Sequence, residues 1–351
     1  MTRDRSARVV LLRPVVWCCV LGSVAVSAGC SNDSLSSNRA ASSTALAAET
    51  TPSSVEASSS APATAPSPEA TTSSSAVAEC STEVALDIHY QSPDGVDANV
   101  VALDVYPVVG RCDAPVAVWV HGGGWRQGDK QNLAEERAAF YNAQGWLMVA
   151  VNYRLTTPGA DPAVQYPDHN HDVAAALGWV HGEIAAHGGD PERVLLIGHS
   201  AGASIVASIV ADPLYLALQG LSPSWISCAV LLDTAAYDIA NAAGSGQNQL
   251  YLDAFGSDPS VWEAASPMHH VGEGPLPTRV LIVTRGSAPR ISEATTFGEL
   301  LTAEGVDAVT FDASPLSHED VNEQIGRIGS IMTRLMVDEL GRCATASPGT
   351  A

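Results

Sequence analysis

A short segment in the middle of the chain constrains its fold more than any other. The apolar run Val194–Ile197 predicts a buried strand, and the small apolar side chains of Ala203–Ala211 predict a helix. The pentapeptide between them, Gly198-His-Ser-Ala-Gly202, has the pattern G-x-S-x-G. This pattern between a strand and a helix indicates a nucleophile elbow, in which the glycines permit a tight turn that lifts the serine hydroxyl above the sheet. We therefore predict that Ser200 is a nucleophile at one edge of an α/β sheet.

A run of glycines about 80 residues upstream fits the same chemistry. It follows the apolar stretch Val116–Val120 and His121, and it consists of three consecutive glycines. Without Cβ atoms, such a loop can turn its N–H groups into a cavity. Acyl transfer needs N–H donors from this loop and from the residue after the nucleophile, because they stabilise the negative charge on the reacting oxygen. The predicted oxyanion hole consists of the N–H groups of Gly123, Gly124 and Ala201.

Four motifs in this order resemble one superfamily. They are His121-Gly-Gly-Gly-Trp125, Val151-Asn-Tyr-Arg-Leu155, Gly188-Gly-Asp-Pro191 and Gly198-His-Ser-Ala-Gly202. On these motifs, residues 83–340 resemble the α/β-hydrolase superfamily, and within it the carboxylesterases and hormone-sensitive-lipase-like esterases, including feruloyl-esterase-like and kynurenine-formamidase-like branches. The resemblance implies an α/β-hydrolase fold, that is, a mostly parallel eight-stranded sheet with helices on both faces. It also implies a Ser–His–acid triad, no cofactor, and hydrolysis of carboxylic esters or, in one branch, of a formamide.

The resemblance also implies which histidine is the general base. His318 follows the last predicted strand, which gives the chain order serine, acid, histidine. It would take the proton of Ser200 and later return it to the leaving alcohol. Two other histidines lie near the motifs: the side chain of His199 is expected to point away from Ser200, and His121 is expected to brace the glycine loop through a hydrogen bond.

The triad acid is where the sequence departs from the superfamily pattern. The superfamily usually places an Asp after the penultimate strand, but here the loop 284–291 contains no carboxylate. Some α/β-hydrolases carry the acid after the preceding strand, and Asp233 follows that strand here. We predict that Asp233 is the acid, with Asp238 in the same loop and Glu293 in the following helix as alternatives.

Apolar periodicity predicts the remaining elements. Residues 84–90 and 100–106 alternate apolar and polar side chains around Asp94-Gly95, which predicts an antiparallel hairpin. Later strands alternate with helices, which indicates a parallel sheet. The strands are predicted at 116–120, 146–153, 194–197, 226–232, 280–284 and 306–312, and the helices at 132–144, 168–186, 203–211, 292–303 and from the His318 loop to about 340. Residues 234–275 lack clean periodicity, and the resemblance implies that they cap the active site.

The N-terminal part is predicted to lie outside the fold. Four arginines precede the short apolar stretch Val15–Val26, and Val26-Ser-Ala-Gly-Cys30 resembles a lipoprotein cleavage site. We therefore predict an exported bacterial protein, either secreted or anchored at the cell envelope through a lipid on Cys30. The predicted organisation is a signal peptide at 1–29, a disordered Ser/Ala/Thr/Pro-rich tether at 30–79, a catalytic domain at 80–345 and a tail at 346–351.

Four cysteines remain in the predicted domain. In an exported protein, Cys80, Cys112, Cys228 and Cys343 suggest two disulfides, for which three connectivities are possible. Cys80–Cys112 is favoured because these residues flank the first two strands, and Cys228–Cys343 then follows by elimination. Buried free thiols are the alternative. No metal site is predicted, because the pair His269-His270 lacks a third ligand at suitable spacing.

The net charge of the chain argues against two classes of binding partner. The net charge of −21 falls almost entirely beyond residue 79, so neither nucleic acid nor an anionic membrane surface is an expected partner. The implied partner is a small-molecule ester, no obligate protein partner is evident, and membrane contact is expected only through a lipid on Cys30. The expected function is thus that of an exported serine esterase. Two alternatives stay open: a formamidase-like amidohydrolase that uses the same residues, and a non-catalytic binding protein that kept the fold and lost the acid.

Overall fold

The structure is a computed structural model that describes residues 80–345 except 162 and 245–247. The predicted signal peptide, tether and tail, together with Cys30, lie outside the described residues, so these predictions stay predictions. Among the helices that the structure describes, none is long and apolar enough to cross a membrane.

Eight strands form one sheet. They are β1 (Ala85–His89), β2 (Ala102–Tyr106), β3 (Ala114–Val120), β4 (Leu147–Val151), β5 (Gly189–His199), β6 (Cys228–Leu232), β7 (Arg279–Thr284) and β8 (Asp307–Asp312). Across the sheet they follow the order β1-β2-β4-β3-β5-β6-β7-β8. Strand β2 runs antiparallel to β1 and β4, and all other neighbours are parallel. The predicted sheet, mostly parallel and opened by an antiparallel pair, is confirmed.

Helices cover both faces of this sheet. Those that the structure describes are α1 (Ala134–Ala143), α2 (Asp168–Glu183), α3 (Ala201–Ala211), α4 (Pro213–Ala217), α5 (Ile239–Gly244), α6 (Gln249–Phe255), α7 (Pro259–Ala264), α8 (Ala288–Ala303), α9 (His318–Glu323) and α10 (Ile331–Cys343). Helices α2, α3 and α8 contribute to one hydrophobic cluster, and α1 and α10 contribute to a second. Because helices cover both faces of the sheet, β3 is buried along its whole length. A strand buried on both faces needs apolar side chains at every position, which explains the continuous apolar run in its sequence.

The register of the central strands sets the position of the candidate site. Val120 at the end of β3 pairs with Gly198 at the end of β5. His199 of β5 pairs with Leu232 of β6, which in turn pairs with Val283 of β7. The glycine loop, the elbow and the loops after β6 and β7 therefore meet at the carboxyl edge of the sheet, where open α/β sheets bind ligands.

The structure differs from the prediction at several element ends. Helix α3 begins at Ala201, two residues before its predicted start. The prediction of one C-terminal helix is wrong, because the chain forms α9 and α10 with a break between them. Within the break, Gly326 and Gly329 have φ of 89° and 81°, a conformation that a right-handed helix cannot contain.

Two disulfides link distant parts of the described chain. Cys80 bonds to Cys112, and Cys228 bonds to Cys343. This is the pairing that the sequence favoured over the other two connectivities. The second bond joins the first residue of β6, at the end of the strand opposite to Asp233, to the last residue of α10.

Candidate active site

Ser200 lies in a tight turn between β5 and α3. Its backbone has φ of 56° and ψ of −119°, a conformation that residues other than glycine rarely adopt. A Cβ on Gly198 would overlap the carbonyl of Gly202, and a Cβ on Gly202 would overlap the carbonyl of Val120. The Ser200 N–H donates to the carbonyl oxygen of Leu232 at 2.9 Å, which fixes the turn against β6. The turn therefore has the geometry of a nucleophile elbow, and both glycines are required by space.

Three side chains form one hydrogen-bonded chain at this edge. The Ser200 Oγ lies 2.9 Å from His318 Nε2, and His318 Nδ1 lies 2.6 Å from Asp233 Oδ2. Asp233 is fully buried. Since an ionised carboxylate only accepts hydrogen bonds, Nδ1 carries the imidazole proton and Nε2 accepts from the serine hydroxyl. The structure thus brings together the three residues that the sequence singles out for the triad.

The two alternative acids lie elsewhere. Glu293 Oε1 accepts from the N–H groups of Tyr237 at 2.9 Å and Asp238 at 3.3 Å. Burial raises the pKa of Glu293, although these two donors act in the opposite direction. Asp238 Oδ1 accepts from the N–H of Asn241 at 2.8 Å, at the start of α5. Both carboxylates hold backbone of the 234–275 segment, and neither is hydrogen-bonded to the imidazole of His318.

Two arginines that the sequence analysis did not single out flank Asp233. Arg285 Nε donates to Asp233 Oδ2 at 2.7 Å. Arg290 donates to Oδ1 through Nε at 2.9 Å and Nη2 at 2.7 Å, and to the backbone carbonyl of Asp233 at 2.8 Å. Burial raises the pKa of Asp233, but the hydrogen bond from His318 and the charge of Arg290 outweigh it, so the pKa lies below its usual value. The signal in the sequence was a pair of basic residues in the loop that lacks a carboxylate.

His318 is held by its own helix and by a second histidine. It is the first residue of α9, whose N-cap Ser317 forms a capping box with Asp320. His199 Nε2 donates to the carbonyl oxygen of His318 at 3.0 Å, and the two rings lie 4.6 Å apart. Burial lowers the pKa of His199 to about 4, so this ring is neutral at neutral pH. We expected the His199 side chain to point away from Ser200. It instead lines the same cavity as Ser200.

The glycine loop presents N–H groups beside Ser200. Gly123 and Gly124 have φ of 122° and 61°, which side chains rarely tolerate. In the described part of the chain, the N–H groups of Gly123, Gly124 and Ala201 have no protein acceptor. These are the three groups that the sequence predicts for an oxyanion hole.

His121 braces this loop. Its Nδ1 donates to the carbonyl oxygen of Gly122 at 2.7 Å, and its ring stacks on Tyr153 with the centroids 4.5 Å apart. The Tyr153 hydroxyl donates to the His121 carbonyl at 2.9 Å. Burial lowers the pKa of His121, so the ring is neutral. The loop is thus fixed by hydrogen bonds, as expected from the sequence, and His121 has no contact with Ser200 Oγ.

Two cavities share Ser200 and His318. The larger has a volume of about 760 Å³ and is lined by the glycine loop, His199, Arg137 and residues of α9. The smaller has a volume of about 360 Å³ and is lined by residues that include Asp233 and both flanking arginines. Leu250 of α6 borders both cavities. The segment 234–275 therefore contributes to the walls of the site.

Among the described residues, two groups of side chains have the spacing of metal ligands. Asp212, His270 and Glu273 offer atoms within 4.8 Å of one another, which the sequence did not predict. Both ring nitrogens of His270 are already hydrogen-bonded, Nδ1 to Glu273 at 2.8 Å and Nε2 to the Ala264 carbonyl at 2.9 Å. The second group consists of Glu339 and the two sulfurs of the Cys228–Cys343 disulfide. A disulfide offers no thiolate, and neither group contacts Ser200.

Similar sequences are esterases. A family model described as the carboxylesterase family matches residues 54–219. Esterase LipQ of Mycobacterium tuberculosis is 29% identical over 217 residues, which are 58% of this chain and 50% of the relative. Carboxylesterase NlhH of the same organism is 41% identical over 103 residues, which are 29% of this chain and 30% of the relative. The chain thus spans about half or less of the length of these curated relatives.

Similar solved structures share the fold. An esterase of Pyrobaculum calidifontis has a TM-score of 0.56 at 23% identity, and the match covers 69% of this chain and 80% of that one. Esterase B of Lactobacillus rhamnosis has a TM-score of 0.58 at 20% identity, and that match covers 75% and 85%. With the strand order and the elbow described above, these likenesses establish the fold. The chain has the α/β-hydrolase fold, and the sequences that it matches are those of carboxylesterases.

Proposed function

We propose that the protein is a serine carboxylesterase. The observation that carries this proposal is the hydrogen-bonded chain from Ser200 through His318 to the buried Asp233, with distances of 2.9 and 2.6 Å. This is the arrangement in which a histidine can activate a serine hydroxyl as a nucleophile. The sequence matches to esterases favour an ester as the substrate.

The proposed reaction has two halves that use the same groups. In the first, Ser200 Oγ attacks the ester carbonyl carbon while His318 Nε2 takes the hydroxyl proton. Asp233 stabilises the resulting imidazolium, which then gives its proton to the oxygen of the leaving alcohol. In the second, His318 takes a proton from water, and the water oxygen attacks the acyl carbon. The C–O bond to Ser200 breaks, Ser200 regains its proton, and the carboxylic acid leaves.

The proposed oxyanion hole stabilises both tetrahedral intermediates. Its donors are the free N–H groups of Gly123, Gly124 and Ala201. Because these groups are fixed by the loop and by the start of α3, they need no reorganisation when charge develops. Each such donor typically contributes about 100- to 1,000-fold in kcat.

One alternative from the sequence was a non-catalytic binding protein that had lost the triad acid. The contact between Asp233 and His318 argues against this alternative.

Export is supported by the two disulfides, since such bonds persist mainly outside the reducing cytoplasm. Whether Cys30 carries a lipid stays a prediction from the sequence.

Hydrolysis of p-nitrophenyl acetate and butyrate tests the proposed function. We expect Ser200→Ala to lower kcat/KM by at least about 1,000-fold and to abolish labelling by a fluorophosphonate probe, because no other nucleophile replaces Oγ. Ser204→Ala is a matched control, since Ser204 lies on the helix that follows Ser200 and its hydroxyl donates to the Ala236 carbonyl rather than to the triad.

Undiminished hydrolysis by Ser200→Ala would contradict the proposal. Hydrolysis of an aryl formamide by the wild type, with no hydrolysis of either ester, would favour the amidohydrolase alternative. Loss of labelling in Ser204→Ala would show that α3 does not tolerate substitution, and Ser200→Gly, which removes the hydroxyl and tolerates the positive φ of this position, would then replace Ser200→Ala.

A further inference from the structure

The smaller cavity at Ser200 has an unusual set of charges. Its volume of about 360 Å³ is near the lower end of the range for ligand sites, roughly 300–1,000 Å³. Its lining includes one acidic and three basic side chains, those of Asp233, Arg285, Arg290 and His318, together with the Tyr251 hydroxyl, whose raised pKa keeps it neutral. It therefore combines one carboxylate with two guanidinium groups in a cavity that Ser200 also lines.

These charges do not balance within the described residues. Arg285 and Arg290 both pair with Asp233, and neither has a second carboxylate within ion-pair distance. With a neutral imidazole, the cavity thus has one positive charge in excess. The chain as a whole has a net charge of −21, so this excess is opposite in sign to its surroundings. A small cavity of opposite sign concentrates ions of one charge, here anions.

Glu293 does not supply the missing negative charge. It attracts Arg290 electrostatically, but the two side chains are not an ion pair. Its Oε1 instead accepts from the N–H groups of Tyr237 and Asp238. Glu293 is also absent from the lining of the smaller cavity. Glu293 therefore does not pair with either arginine of the cavity, and the two guanidinium groups share the single carboxylate of Asp233.

The two arginines hold Asp233 to different degrees. Arg290 makes three hydrogen bonds to Asp233, two to Oδ1 and one to the backbone carbonyl, which suffice to fix the carboxylate. Arg285 uses only Nε for Asp233, and its two Nη groups have no acceptor among the described residues. Its side chain is 26% exposed. Two free Nη groups of one guanidinium can bind a carboxylate or another oxyanion through charge-assisted hydrogen bonds.

We infer that Arg285, assisted by Arg290, determines specificity by binding an anionic group of the substrate. The preferred substrates are then esters that carry a carboxylate on the acyl or the alcohol part, whichever enters the smaller cavity. This inference rests on the proposed esterase function and names its substrate class.

Matched pairs of esters test the inference in the full chain. In the first pair the acyl part differs: mono-p-nitrophenyl glutarate is compared with p-nitrophenyl pentanoate. In the second pair the alcohol part differs: 4-acetoxybenzoate is compared with 4-methylphenyl acetate. After subtraction of the uncatalysed rate, we expect the wild type to prefer the charged ester of at least one pair by about tenfold or more in kcat/KM, a typical value for a charge-assisted contact. The pair that shows the preference identifies the part that enters the cavity.

Variants at one position separate charge from structure. Arg285→Gln should reduce the preference for the charged ester at least tenfold, and Arg285→Lys should retain most of it, because lysine keeps the charge. The ratio within a pair cancels any general loss of activity from the weakened contact with Asp233. Arg334→Gln, at an exposed position of α10, should leave the ratio unchanged. Equal or lower activity on both charged esters, with no response to Arg285→Gln, would overturn the inference.

A binding measurement separates this inference from the proposed function. Isothermal titration calorimetry measures the binding of glutarate and of 4-hydroxybenzoate to Ser200→Ala. This measurement requires no hydrolysis. The same titration is repeated with a double variant that carries Ser200→Ala and Arg285→Gln. If the double variant binds either anion at least tenfold more weakly than Ser200→Ala does, the subsite is supported even if no ester is hydrolysed. Absence of binding of both anions, together with hydrolysis of neutral esters, would overturn the subsite and leave the esterase proposal intact.

Discussion

The loops that follow β6 and β7 lie next to each other and carry opposite charges at the candidate site. The first supplies Asp233, whose backbone has a φ of 52° and whose side chain is fully buried. The second supplies Arg285 and leads into α8, whose first turn supplies Arg290, whereas the superfamily pattern implies an acid in this loop. In the proposed triad, the acid therefore follows β6, the neighbour of β7, and the loop that usually carries the acid provides a cation instead. A buried carboxylate with three cationic or hydrogen-bonding partners then remains ionised.

Removing the acid tests the first loop and should have the largest effect. Asp233→Asn should lower kcat/KM on p-nitrophenyl esters by about 10,000-fold, because an amide no longer fixes the tautomer of His318 or stabilises its imidazolium. The measurement is steady-state hydrolysis, with circular dichroism and thermal unfolding to show that the variant is folded.

The alternative acids provide the controls for this experiment. Asp238→Asn and Glu293→Gln should each stay within about tenfold of the wild type, since Asn and Gln keep the oxygen acceptors that bind backbone N–H groups. A large loss in Glu293→Gln beside a small one in Asp233→Asn would place the acid in α8, which follows the second loop, and would contradict the role given to Asp233.

Removing a cation tests the second loop. Arg290→Gln should lower the free energy of unfolding by about 1–3 kcal/mol, because it removes three hydrogen bonds to Asp233, two of them to the buried carboxylate, while Arg290 itself is partly exposed to solvent. Urea unfolding at pH 7 measures the change. Arg285→Gln removes one contact and should cost less, so equal losses in the two variants would contradict the different roles given to the two arginines.

The difference between wild type and Arg290→Gln should depend on pH. The pKa of folded Asp233 lies below its ordinary value of about 3.9, so the stability that ionisation contributes is present above that value and is lost as the pH falls through the folded pKa. Unfolding free energies of both proteins between pH 2.5 and 7 should therefore differ most above about pH 5 and converge as the pH falls below about 4. A constant difference over this range would show that the stabilising effect of Arg290 does not depend on the charge of Asp233.

Local patterns predicted the sheet, the elbow and the glycine loop because neighbouring residues determine them. Gly198 and Gly202 flank Ser200 in the sequence, and the clashes that exclude a Cβ there involve the turn itself and the adjacent strand β3. The position of Asp233 could also be predicted from local sequence, because Asp233 directly follows a parallel strand. The end of such a strand lies at the carboxyl edge of the sheet, independently of the conformation of the loops.

Contacts between distant loops could not be predicted in the same way. Arg285 and Arg290 lie 52 and 57 residues from Asp233, and His199 lies 119 residues from His318. These contacts depend on how far each loop extends beyond its strand, and apolar periodicity contains no information on that distance. The break between α9 and α10 is different, because Gly326 and Gly329 were visible in the sequence as signals for a helix end.

The connectivity of the disulfides has a consequence for the order in which the chain can be oxidised. Among the four cysteines of the described residues, each bonds to the next one along the sequence: Cys80 to Cys112, and Cys228 to Cys343. A polypeptide that crosses a membrane N-terminus first would present Cys112 to Cys80 before either later cysteine arrives. Cys228 would then emerge after the first bond has closed and meet Cys343 as its remaining partner. Oxidation in order of emergence would thus yield the native pairs without reshuffling.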